Sequence, residues 1–204
     1  MKTLLIKDIL LLKNYKKVMV FILVLMLAIS FQNGLDFVSG YLLVFLGILS
    51  LSTISYDEAN HTMLTLLSMP IQRKDYVKEK YLFAFFMMMA GFFIVMVLSL
   101  FKMELFQSAF YESLVVLSSG LCLLALALPF QLKYGQEKGR IVMLVIVFLF
   151  VFASYFLEDF FQSFFLYLDQ MNPNVLAIRC LVISFALYLI SMMISIFIFN
   201  KREF

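Results

Sequence analysis

Six long apolar blocks, separated by short polar stretches, dominate the pattern of this chain. They cover residues 17–31, 35–55, 81–101, 113–132, 141–157 and 177–199. A helix rises about 1.5 Å per residue and the hydrocarbon core of a bilayer is about 30 Å thick, so roughly 20 mostly apolar residues cross it. The blocks therefore predict an all-α membrane protein with six transmembrane helices. The first block is short, and Lys16 and Lys17 extend it by snorkelling to the interface. Ahead of it, Leu4, Leu5, Ile9 and Leu12 fall at helical spacing, which predicts an N-terminal interfacial helix over 1–16. This start has the layout of a signal peptide, with Ala28-Ile29-Ser30 resembling a cleavage site. Its length, its apolar leader and the membrane-embedded remainder favour an uncleaved signal-anchor. No repeat or low-complexity linker divides residues 1–204, which read as one transmembrane domain.

Composition sharpens this pattern. Apolar residues make up 64% of the chain and charged residues 14%, against roughly 45–50% and 25% for a soluble domain. Lipid is thus the expected solvent. Lys and Arg in the short loops set orientation. All but two of the 16 fall on one side: Lys2, Lys7, Lys13, Lys16, Lys17, Arg73, Lys74, Lys78, Lys80, Lys133, Lys138, Arg140, Lys201 and Arg202. Only Lys102 and Arg179 fall on the other, which carries the acidic Asp36, Glu104, Glu112, Glu158, Asp159 and Asp169. Both termini are therefore expected in the cytoplasm. The net charge of +3 is too small to suggest nucleic acid.

The longest cytoplasmic connection, residues 56–80, joins spans 2 and 3. Asp57 and Glu58 read as the start of a short helix, since acids complement the positive N-terminal end of the dipole. Met63, Leu64, Leu66 and Leu67 give it an apolar face, and Pro70 stops it. Arg73–Lys80 alternates basic and acidic residues on the way into span 3. Such a helix either seals the edge of the bundle or docks a soluble partner.

Catalysis is nearly excluded. His61 is the single histidine, no His-Glu-x-x-His or Gly-x-Ser-Gly motif occurs, and no Gly-x-x-x-x-Gly-Lys-[Ser/Thr] loop cradles a phosphate. No block carries a central charge of the kind that ion-coupled transport needs, and Pro129 reads as the exit of span 4. Cys122 and Cys180 lie in apolar blocks without metal-ligand or disulfide spacing, and read as small hydrophobes. A transporter of this kind must draw its power from another subunit.

The loop carries a resemblance. Tyr56-Asp57-Glu58, the turn Leu67-Ser68-Met69-Pro70, the pair Arg73-Lys74, then Val77, Lys80 and Tyr81 resemble the corresponding loop of small bacterial ABC-transporter type-2 permeases. Weaker similarity covers the whole chain, including six spans and Asn172-Pro173 before the last one. The N-terminal segment departs from the pattern, because its polar residues spread around the helix. The resemblance implies a permease subunit paired with a second permease subunit, expected as a homodimer, and with separate ATP-binding-cassette ATPase subunits that bind ATP and Mg. It implies that the loop forms a coupling helix seated in a groove of the ATPase. On that reading Glu58, Asn60, His61 and the face of Met63, Leu64, Leu66 and Leu67 make the contact, with Tyr56 and Asp57 anchoring the helix start. It also implies re-entrant outer helices between spans 5 and 6, and a bacterial plasma-membrane location. The Phe-, Met- and Leu-rich spans suit amphipathic peptide cargo first, and lipids or hydrophobic drugs next. Two rivals stand beside it. A vitamin-binding subunit of an energy-coupling-factor importer has similar size, but small residues for docking are nearly missing from span 1. A non-transporting scaffold or sensor could use the same loop.

Overall fold

The structure, a computed structural model, describes residues 2–14, 16–17, 20–21, 24, 35–60, 72–101, 106–156 and 172–201. Among them it is all helical. The helices are α1 (Lys2–Asn14), α2 (Leu35–Ala59), α3 (Arg73–Phe101), α4 (Phe106–Phe156) and α5 (Pro173–Asn200). Most of the first expected span, the turn 32–34 and most of the outer segment 158–176 lie outside the described residues. Three helical stretches are long and apolar enough to cross a membrane: Arg73–Leu98, Ser113–Gly135 and Val175–Asn200. They match the third, fourth and sixth apolar blocks. Helix α2 and the end of α4 cover the second and fifth.

Apolar stripes at helical spacing build the core. On α3 they are Val77, Tyr81, Ala84, Met88 and Phe92, and on α4 Leu117, Leu121, Leu124, Leu128 and Leu132. Ile54 of α2 and Tyr188 and Phe199 of α5 close against them. Helix α2 approaches α3 closely at Gly91, where an added Cβ would stand 2.7 Å from Leu46 Cδ1. Helix α5 is apolar on all sides yet mostly uncovered, with Val182 60%, Ile183 61% and Phe197 63% exposed. An apolar face of that size is stable against lipid or another apolar surface, and not against water.

Helix α4 spans 51 residues, about 75 Å if straight, which is far more than a bilayer needs. It is broken at Gly135, with φ 79° and ψ −176°. That region is open essentially to glycine alone. The break folds the chain back, so that a Cβ on Gly139 would meet the Gln131 backbone at 3.1 Å. The apolar blocks 113–132 and 141–157 leave an eight-residue polar connection at 133–140. The chain instead reverses at a single residue and stays helical on both sides.

Pro129 lies within α4 and is not its exit. A proline there denies Ala125, four residues back, its helical hydrogen bond. Ser191 of α5 supplies the missing donor, its hydroxyl lying 2.5 Å from the Ala125 carbonyl oxygen. The same Ser191, with Ser195, pairs with the Tyr81 hydroxyl at 2.8 and 2.7 Å, and Tyr188 donates to the Tyr81 carbonyl. Polar ties of this kind hold apolar helices in register within lipid. Ser191→Ala is expected to lower stability by about 1–3 kcal/mol, read as a fall in melting temperature in detergent. Ser184→Ala, whose hydroxyl bonds only within its own helix, is expected to change little.

Candidate functional site

The end of α2 is where the helices meet. Asp57 lies in its last turn and is buried, with 1% of its surface exposed. Helix α1 brings Lys7 and the buried Asp8. Helix α3 brings Tyr76, Glu79 and Lys80, all buried, while Lys74 and Lys78 of the same helix point outward. Tyr76 and Lys80 stand four residues apart and so share one face.

Lys80 occupies the centre. Its ammonium meets Asp8 Oδ2 at 2.5 Å, Asp57 Oδ2 at 3.0 Å and Thr53 Oγ1 at 3.2 Å. Three acceptors thus match its three donors. Asp57 is also fully engaged. Lys7 Nζ meets its Oδ1 at 2.5 Å, and the Tyr76 hydroxyl donates to its Oδ2 at 3.1 Å. Burial pushes the Asp57 carboxyl up, but Lys80 and Lys7 outweigh it and hold the carboxyl below its usual range. Glu79 differs: its nearest cation is Lys80 at 3.9 Å, and its buried carboxyl lies beside that of Asp8.

The other helices join at this level. Gln131 of α4 donates to the Leu51 carbonyl at 3.0 Å and to Ser55 Oγ at 2.8 Å. Tyr76 stacks on Phe199 of α5 at 5.4 Å, and Arg73 donates to the Asn200 carbonyl at the end of that helix. Glu58 reaches the break in α4, its carboxylate filling the space above Gly135, where a Cβ would stand 2.6 Å from Oε1.

The residues expected to form the partner contact are distributed unevenly. Tyr56 and Asn60 are exposed. Asn60 closes α2, its backbone N–H and Nδ2 both donating to the Tyr56 carbonyl, at 3.2 and 3.1 Å. Asp57 faces inward, and Glu58 packs on Gly135. His61, Met63, Leu64, Leu66 and Leu67 lie outside the described residues. The expectation that Asp57 and Glu58 open a helix is corrected: both end α2. Acids are disfavoured at that negative end of the dipole. The last turn of α2 contains no basic residue, so Lys7 and Lys80 offset the cost from neighbouring helices. Arg73–Lys80, read as a lead-in, is already the first two turns of α3. Sequence reasoning gave no site role to Lys7, Asp8, Thr53, Tyr76, Glu79 or Gly135, and took Lys80 only as part of the loop motif. One signal was present in Asp8, the sole acid of the N-terminal segment, whose position spoiled that helix's amphipathic pattern.

The arrangement ties α1, α2, α3 and α4 together at the end of α2. Among the described residues no group of His, Cys, Asp and Glu is placed to hold a metal. A family model described as ABC-2 family transporter protein matches residues 3–200. No curated protein and no solved structure matches the chain. With nearly its whole length matched, the chain belongs to the ABC-2 transporter family, whose members are multi-pass membrane components that work with an ATPase subunit and are not themselves catalysts.

Proposed function

We propose that this chain is the permease subunit of an ATP-driven exporter in the bacterial plasma membrane, moving amphipathic peptide or other hydrophobic cargo. It crosses the membrane six times with both termini in the cytoplasm, and pairs with a second copy of itself. The ATP and Mg are bound by the separate ATPase. The strong Lys and Arg asymmetry supports the orientation, and the uncharged interiors of residues 81–98, 113–132 and 180–200 support apolar cargo.

One observation carries the coupling role: the connection 60–72 emerges from the point where α1, α2, α3 and α4 are tied by buried ion pairs and side-chain packing. A load applied to that connection reaches Asp57 first. Through Lys80 and Lys7 it then reaches α3 and α1, and through Glu58 the turn of α4. In this reading Tyr56 and Asp57 anchor the segment, and Asn60, His61, Met63, Leu64, Leu66 and Leu67 face the ATPase. Glu58 serves the permease side of the junction, resting on Gly135.

The test is co-purification with the ATPase subunit. Met63→Glu with Leu66→Glu is expected to reduce recovered ATPase at least tenfold while leaving the permease's melting temperature within about 2 °C of wild type. Undiminished ATPase recovery would remove the docking assignment.

A further inference from the structure

A groove of about 360 Å³ lies between α4 and α5. It is separate from the charge cluster and plays no part in the coupling just described. Its walls include Cys122, Pro129 and Phe130 on α4, and Leu187 and Ile194 on α5. Ile190, 53% exposed, stands on its rim, so the groove opens sideways. In a membrane, that opening faces lipid.

Two features select an occupant. The first is polarity. The wall is apolar except at Ser191 and Lys133. Ser191 is already engaged by the Ala125 carbonyl and by Tyr81, so the interior has nothing to offer a peptide backbone, which must be hydrogen-bonded in lipid. A saturated chain needs no such partner.

The second is charge and length. Lys133 closes one end of the groove. It is exposed, its ammonium lies 4.8 Å over the ring of Tyr134, and no carboxylate among the described residues pairs with it. A Lys beside an exposed Tyr is the combination found at headgroup level. From Lys133 to Cys122 the helix rises about 16 Å, close to half the ~30 Å hydrocarbon core, which is one leaflet.

We propose that this groove binds one anionic phospholipid, with an acyl chain along α4 and α5 and the headgroup phosphate on Lys133. Pro129 forms part of the groove wall, and Lys133, one turn further on, supplies the selectivity for negative charge.

The chain contains no tryptophan, so a single introduced one reports locally. Ile190→Trp places it on the rim. Leu189→Trp places it at the same depth on the other side of α5, on a residue 40% exposed and outside the groove. The full-length protein is reconstituted in vesicles of phosphatidylcholine and phosphatidylglycerol, with one or the other brominated. At position 190, half-quenching is expected at a mole fraction of brominated phosphatidylglycerol at least threefold lower than that of brominated phosphatidylcholine. At position 189 the two lipids should quench alike. Lys133→Glu, and the milder Lys133→Gln, should abolish the preference at 190. Lys201→Glu, an equal charge change at an exposed lysine near the same end, should keep it. Equal quenching by both lipids at 190 would overturn the proposal, as would a preference that survives both Lys133 variants. Protection of position 190 from both lipids would also overturn it, by showing that protein covers the groove.

Discussion

Replacing Lys80 with Met lowers the stability of the bundle by about 3–5 kcal/mol, or a melting temperature roughly 10 °C lower for a chain of this size. The side chains are of similar length, so packing is largely kept and the charge is lost. Asp8 and Asp57 are then left buried, with Lys7 as their remaining cation among the described residues. Breaking one side of a buried pair costs far more than exchanging the whole pair for apolar groups. The double variant Lys80→Met with Asp8→Leu should therefore be less damaged than the sum of the two single changes, by at least 1 kcal/mol. Glu79→Gln is the contrast within the same cluster. Its buried carboxyl lies beside that of Asp8, where the amide of Gln keeps a donor, so the change should stay within about 1 kcal/mol of wild type. Thermal unfolding in detergent, followed with a thiol-reactive dye on Cys122 and Cys180, reads all four proteins. A fall of less than 2 °C for Lys80→Met would mean that the cluster does not hold the helices together.

Gly135→Ala has the next largest effect, about 3 kcal/mol, and from two separable causes. The backbone at φ 79° and ψ −176° is strained for any residue with a Cβ, at about 1–3 kcal/mol. The added carbon also enters the space of the Glu58 carboxylate. Combining Gly135→Ala with Glu58→Ala should relieve the collision and leave the strain, so the pair recovers only part of the loss. Full recovery would assign the whole effect to Glu58, and no loss in the single variant would contradict the observed backbone. The same thermal assay measures both.

These two residues also mark where sequence reasoning stopped. Length and apolarity were enough to find α3, α5 and the first part of α4, because a bilayer accepts few other solutions. The blocks at 81–101, 113–132 and 177–199 differ from the crossing stretches Arg73–Leu98, Ser113–Gly135 and Val175–Asn200 mainly at the charged ends 73–80 and 133–135. Those ends were the difficulty. Lys80 and Glu79 read as solvated loop residues because Lys74 and Lys78 beside them are solvated. Nothing local says that positions 76 and 80 turn inward to meet positions 57 and 8. Pairing across 72 residues leaves no periodic trace, so Asp57 was read as opening a helix when it closes one. Gly135 was hidden for a different reason. The charged run Lys133–Arg140 resembles a loop, and one glycine with a positive φ can reverse a helix without one. The candidate contact residues were more legible in kind than in role. Tyr56 and Asn60 are accessible, whereas Asp57 and Glu58 serve the junction behind them.

The central claim is that the connection leaving this junction sits on an ATPase. Photo-crosslinking tests it most directly. His61, Leu64 and Leu67 are replaced in turn by p-benzoylphenylalanine in the intact complex, with Leu189, on the lipid-exposed side of α5, as the control. The account predicts an ATPase crosslink from at least one of the three loop positions and none from position 189. A complex that purifies intact yet gives no ATPase crosslink from any of the three would contradict it.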